Sequence, residues 1–362
     1  MVTCLSPNGP MVHNAGASPP RLLVATMRGV AILDLDAQTG GWTVTAVTLA
    51  GLHVSSLLFE PSRGGVFAGT HGQGIFFSAD RGETWTETSN GLTLRNVFSL
   101  NYSARDGEVT LLAGTEPVML FSSGDYGRTW RAHPAIAEMP GREEWTFPAP
   151  PHVAHLKSIA VHPAEPDAYY ACIEQGALLK TADAGNTWRE IFTYAHASDR
   201  WYRDVHKIVP ALSNPQRLLM STGVGVYRSD DGGDSWVKLT GDDFPIAYPD
   251  HLIVSPRDED TVFVAGAATS PDVWRGTHAA KSVVMCSRDR GTHWRLAAGG
   301  LPVNGRAAIE AMSIAIGGEQ YVLFAGNTDG EVYASGDEGD TWARIANGLA
   351  PISKAMHAKY LT

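Results

Sequence analysis

Short apolar runs alternate with polar, glycine-bearing turns along nearly the whole chain. Runs such as His53–Phe59, Gly65–Thr70 and Gly74–Ser78 are strand-length and bounded by turn residues, so they predict β-strands rather than helices. They come in groups, and an eight-residue box, Ser78-Ala79-Asp80-Arg81-Gly82-Glu83-Thr84-Trp85, recurs with them. Further copies start at Ser123, Thr181, Ser229, Ser287 and Ser335 and end at Trp130, Trp188, Trp236, Trp294 and Trp342. A worn version spans Asp34 to Trp42. The tryptophans follow one another at intervals of 43 to 58 residues, the mark of a repeat architecture.

Each repeat predicts one four-stranded sheet. The first offers only three strands, Arg21–Thr26, Val30–Leu35 and Trp42–Leu49. The final stretch, Ile352 to Leu361, has the pattern of the inner strands that begin near Val54, Asn96, Leu156, Val205, His251 and Ala311, so it is expected to supply the missing one. Residues 1–20, rich in Pro, Gly, Ser and Asn, read as an N-terminal arm. Residues 21–362 read as one all-β, seven-bladed β-propeller with box turns, closed by the C-terminal strand.

The box has a physical logic. Its Asp accepts hydrogen bonds from amides of its own turn, its Gly takes a positive φ, and its Trp plugs the space behind the next strand. The pattern resembles the Asp-box, or BNR, repeat of sialidase-like β-propellers. Five boxes match completely, and the sixth departs only at His293, where Thr or Ser is expected. The resemblance covers nearly the whole chain and implies fold rather than activity. Sialidases are six-bladed and carry an Arg-Ile-Pro-like stretch where this chain reads Arg21-Leu22-Leu23. Xyloglucan-cleaving relatives use two tandem propellers around a cleft with paired carboxylates, and the photosystem II assembly-factor type is a seven-bladed binding module.

Charge and cysteine usage narrow the partners. The formal net charge is −10 over 362 residues with no Lys/Arg block, which argues against nucleic acid. Cys4, Cys172 and Cys286 are too scattered for a disulfide framework. No leader pattern and no long apolar stretch appear, so a cytoplasmic protein with no membrane partner is expected.

Topology then sorts the loops. The boxes join the third and fourth strands of each sheet, so the connections between sheets and the turns after the second strand share the opposite face. Histidine, carboxylate and arginine side chains gather there. His53, His155, His206 and His251 stand at inner-strand starts, and with Glu310 they form the expected metal set, for Zn, Fe, Mn or Cu. A His-lined pocket without metal is the other reading, and no organic cofactor is indicated. His206, Glu310 and Glu174 are the expected catalytic groups. Arg28, Arg203, Arg306, Trp201, Trp145, Trp274 and His71 are the expected substrate contacts. The insertions Pro134–Pro151 and Ala268–Lys281 enlarge that face, as pocket walls or as a homo-oligomer contact. The expected function is hydrolysis or elimination on a small polar molecule at an axial His/Glu pocket. The alternative is a non-catalytic propeller scaffold that binds a glycan or a protein.

Overall fold

Seven sheets, one per repeat, follow one another around a central axis. The computed structural model describes residues 2–16, 21–191, 203–297, 299–317, 320–354 and 357–361. The chain is a seven-bladed β-propeller. In blade 1, β1 (Thr3–Leu5) pairs with β3 (Arg21–Thr26), followed by β4 (Gly29–Leu35) and β5 (Trp42–Thr48). The other inner strands are Val54–Glu60, Asn96–Arg105, Leu156–Val161, Val205–Pro210, Tyr248–Val254 and Ile309–Gly317. Each is followed by three antiparallel partners.

Closure differs from the sequence expectation. The inner strand of blade 1 is β1, from the N-terminus, and it runs parallel to β3, with Thr3 opposite Leu22 and Leu5 opposite Val24. A second N-terminal strand, β2 (Val12–Gly16), runs parallel to Ile309–Gly317 and makes blade 7 five-stranded. Residues 1–20 therefore contribute to two blades, where an arm was expected. The reason is burial. Val2, Cys4 and Leu5 are apolar and wholly enclosed between blades 1, 2 and 7, so this short segment gains by pairing despite its Pro- and Gly-rich flanks. Among the described residues, the C-terminal stretch forms no sheet strand. Residues 351–354 cross the face opposite the boxes, and a short helix, His357–Tyr360, follows.

The core is a ring of apolar layers between neighbouring blades. Leu58, Phe67, Leu100, Leu111 and Phe121 fill the layer between blades 2 and 3, and Phe263, Met312, Leu323 and Trp342 the layer between blades 6 and 7. The boxes brace this ring from one face. Asp80 Oδ1 accepts from Ser78 Oγ (2.8 Å) and from the Thr84 amide (2.9 Å), while the Gly82 amide donates to Ser78 Oγ (2.8 Å). Box tryptophans reach back to the preceding blade: Trp130 Nε1 donates to Thr88 O (2.7 Å) and Trp342 Nε1 to Ala297 O (3.0 Å). His293 preserves the geometry of its box, its Nδ1 taking the place of the usual hydroxyl against Asp289 Oδ2 (2.6 Å).

Candidate axial site

The inner strands of blades 2 to 7 share one irregularity. The register slips once near the start of each strand, skipping Ser55, Phe98, Lys157, His206, Asp250 and Glu310 in turn. A β-bulge breaks side-chain alternation and re-aims the extra residue. Here it places an ionisable group from each of blades 4 to 7 in one buried network. Lys157 Nζ bridges Glu174 Oε1 (3.1 Å) and Asp250 Oδ1 (2.9 Å). Lys354, from the C-terminal crossing, donates to both Asp250 oxygens (2.8 Å each). Glu310 accepts from Ser353 Oγ (2.9 Å) and the Lys354 amide (3.0 Å) and meets His357 Nδ1 at 2.6 Å. The C-terminal residues thus act through the network rather than through a strand.

Burial and charge compete throughout this cluster. Burial pushes the Glu174 and Asp250 carboxyls up, but Lys157 and Lys354 outweigh it and hold both well below the usual carboxylate range. Glu310 is also lowered: burial opposes ionisation, and His357 and Lys354 overcome it. For His155, burial disfavours the charged ring, yet Glu116 and Glu174 raise its pKa overall. Burial alone dominates at His251, lowered to about 3, and at Lys207, lowered to about 8. Tyr248 is held protonated, its pKa well above 10.0, by burial and by the surrounding carboxylates.

A cavity of about 210 Å³ opens onto this network from the face opposite the boxes. Glu174, Asp204, Tyr248 and His357 contribute to its lining. Both insertions wall it: Phe147 to Ala149 from one, and Ser270 to Asp272 with Arg275 from the other, where the helix Pro271–Thr277 lies. Tyr360 lies beside Arg275, which donates to its hydroxyl (2.9 Å). Behind the lining carboxylates, His206 Nε2 lies 3.2 Å from Asp204 Oδ1 and 3.7 Å from Glu174 Oε1. His206 Nδ1 donates to the Pro249 carbonyl at 2.5 Å.

The expected site residues divide clearly. Glu174 lines the cavity together with Asp204, and His206 meets both just behind the lining. Among the described residues these three form the one group of His, Cys, Asp and Glu whose ligand atoms lie within 4.8 Å of one another. The four histidines of the expected metal set do not converge, because each has its own partner. His53 Nε2 donates to Ser353 O (2.8 Å), His155 pairs with Glu174 (2.8 Å), and His251 Nε2 donates to Pro7 O (3.1 Å). Glu310 is occupied by the C-terminal segment. His71 stacks on His53, with ring centroids 4.0 Å apart. Arg28 is exposed on the turn after β3, Arg203 pairs with Glu144, and Arg306 pairs with Asp329 at 2.7 Å. Trp274 is a buried wedge behind the cavity wall, its edge against Tyr248 and His357. Trp145 packs on the layer between blades 3 and 4, and Trp201 lies outside the described residues.

Lys157 and Lys354 were not among the expected site residues. A signal for Lys157 exists: aligning the six inner strands at the slip puts it level with His206, Asp250 and Glu310. For Lys354 no such register exists.

No family model matches the chain. A xyloglucanase of Paenibacillus sp is 26% identical over 173 residues, covering 42% of this chain and 16% of that protein. The xyloglucanase Xgh74A of Acetivibrio thermocellus is 23% identical over 268 residues, covering 64% of this chain and 30% of the relative. The chain thus spans less than a third of the length of these relatives. Among solved structures, YCF48 bound to D1 peptide superimposes with a TM-score of 0.57 at 14% identity, over 89% of this chain and 91% of that one. That likeness is one of fold.

Proposed function

We propose that the axial cavity is a reacting centre for hydrolysis or elimination on a small, polar, sugar-type substrate, with Asp204, His206 and Glu174 as the groups that touch it. One observation carries this reading. His206 Nε2 and Asp204 Oδ1 are buried with no hydrogen-bond partner and lie 3.2 Å apart, Asp204 lining the cavity and His206 directly behind it. Such atoms cost stability, and a ligand bound against Asp204 in the cavity would satisfy them.

The chemistry follows from the bonds already made. A carbonyl can only accept, so the 2.5 Å contact to Pro249 O puts a proton on His206 Nδ1, and in the neutral ring Nε2 is the acceptor. Nε2 takes a proton from water in hydrolysis, or from an acidic carbon in elimination, and Asp204 stabilises the imidazolium that results. Glu174, kept ionised by the two lysines, favours positive charge developing at the substrate. Tyr248 donates to Glu174 Oε1 (3.3 Å) and, held protonated, supplies an O–H at the floor. The volume, about 210 Å³, suits a substrate smaller than a drug-sized ligand. The sugar class is supported by the sequence similarity to xyloglucanases.

A second reading, a binding propeller for a glycan or a protein, is favoured by the fold likeness to YCF48, solved with a peptide bound. A panel of 4-nitrophenyl glycosides and uronic-acid disaccharides separates the two. The catalytic reading expects turnover of at least one member, with kcat/KM falling about a hundredfold or more in Asp204→Asn and His206→Gln. Saturable binding of a panel member with no product, unchanged in folded variants, sinks it and leaves the binding module.

A further inference from the structure

His206, Asp204 and Glu174 are 0%, 5% and 2% exposed. With Nδ1 donating to Pro249 O, Nε2 faces one carboxylate oxygen at 3.2 Å and a second at 3.7 Å, and makes no hydrogen bond to either. Two carboxylate oxygens and a ring nitrogen that can all act as donors to a cation thus converge in a buried corner, where Asp204 Oδ1 and His206 Nε2 have no hydrogen-bond partner. Lys157 and Lys354 neutralise Glu174 but not Asp204. Lys157 pairs with Glu174 and Asp250, Lys354 pairs with Asp250 and at 3.7 Å with Glu174, and neither makes an ion pair with Asp204. The spacings fit a shared ion. With metal–ligand bonds of about 2.1 Å, donor atoms lie roughly 3.0 Å apart at a right angle and roughly 3.6 Å apart at 120°. A backbone carbonyl that fixes the ring through its other nitrogen is the usual support of a metal-bound histidine, and Pro249 O stands in that place.

We infer that Glu174, Asp204 and His206 form a binding site for one divalent cation of the Mn²⁺ or Zn²⁺ type, open to the cavity on its remaining side. Two hard carboxylates and one imidazole suit those ions better than softer ones. The inference deepens the function proposed above. With an ion held there, Nε2 would serve as a ligand instead of the base named above, and the ion would supply an acidified water in its place. Its test needs no turnover, so a failed activity screen and an empty metal site are told apart.

The experiment uses the full chain purified without a polyhistidine tag, stripped with chelator, then titrated separately with MnCl₂ and ZnCl₂ by calorimetry. The expected result is about one ion per chain for at least one of the two metals, with a raised melting temperature. Asp204→Asn and His206→Gln are expected to bind at least about tenfold more weakly. His293→Thr, in an exposed box turn on the other face, is expected to bind as the wild type does. Because buried substitutions can unfold the chain, a second readout uses the wild type alone: Zn²⁺ should shift the His206 Nε2 resonance in imidazole ¹⁵N spectra and leave that of His13 in place. Failure of both metals to bind overturns the inference. So does full-strength binding by a folded Asp204→Asn, or an imidazolium spectrum at His206 that neither ion changes.

Discussion

Lys157 concentrates the electrostatics of the axis in one residue. It is 1% exposed and joins Glu174 to Asp250. Replacing it by methionine keeps much of the volume and removes the charge, leaving Glu174 with His155 and a more distant Lys354 at 3.7 Å. Removing one partner of a buried pair costs about 3–5 kcal/mol. Lys157→Met should therefore lower the urea midpoint strongly at constant m-value, and an unchanged midpoint would show that the network is not electrostatically coupled to stability. The box aspartates lie at the other extreme. Asp183 accepts from Thr181 Oγ1 (2.7 Å), the Thr187 amide (2.8 Å) and Thr187 Oγ1 (2.7 Å), all within one solvated turn. Asp183→Ala should cost only about 1 kcal/mol, because water replaces part of what is lost, and it should leave ion binding at the distant cavity unchanged. Lost ion binding at a normal melting temperature would place the function on the box face.

Two chain ends hold the ring in different ways, and the elements make the difference testable. β1 and β2 are sheet strands with backbone pairing to blades 1 and 7. Residues 351–354 hold by capping contacts: Pro351 O accepts from the Met27 amide (2.8 Å), Asn327 O from Ile352 N (3.2 Å), and Asp250 from Lys354. Deleting residues 2–10 opens the inner edge of blade 1 and exposes unpaired strand, so aggregation is expected. Deleting residues 349–362 leaves every described sheet strand in place but strips Glu310 of Ser353, Lys354 and His357 and leaves Asp250 without Lys354. That variant should remain β-rich by circular dichroism while melting well below the wild type. The reverse ranking, with the C-terminal deletion losing its β signal first, would contradict the closure seen here.

At the scale of the whole molecule, the shifted groups set the response to pH. Burial lowers His13 to about 4, against weaker support from the Cys4 and Pro10 backbone, and lowers His251 to about 3. As pH falls below 6.5 the unfolded chain takes up these protons and the folded chain refuses them, so stability is lost from about pH 6.5 toward 3. His155 does not offset this. Its folded pKa is raised, so its contribution is complete below 6.5 and is lost only as pH climbs through the raised value. Asp80, Asp125, Asp183, Asp231, Asp289 and Asp337 are each lowered from 3.8 to about 2 by hydrogen bonds within their turns. Their folded values are depressed, so their contribution is present above 3.8 and disappears as pH falls to about 2. Urea midpoints should decline gradually below pH 6.5 and steeply below 3.8. A flat profile between 6.5 and 4 would mean that the buried histidines are already charged.

The sequence by itself determined the seven blades, the face that bears the boxes and the presence of a polar site opposite them. It could do so because those features repeat: the period of two within each strand and the boxed turn between strands are local, and each is written many times over. It also placed both insertions at the cavity, since strand direction fixes which loops share a face. Tertiary structure alone decided the rest. Thr3–Leu5 is too short to read as a strand, and its parallel pairing with β3 is worth forming only where three blades enclose it. Lys354 is an ordinary surface-type residue until the ring is assembled, and only then does it meet Asp250, 104 positions earlier in the chain. The bulges turned Lys157 and Asp250 to the axis, while bonds to Ser353, Glu174 and Pro7 drew three of the expected metal ligands into partnerships of their own. His206 was left facing Asp204, because the Pro249 carbonyl of the next blade holds its other nitrogen. Such pairings join residues far apart in the chain and occur once each, so no repetition announces them.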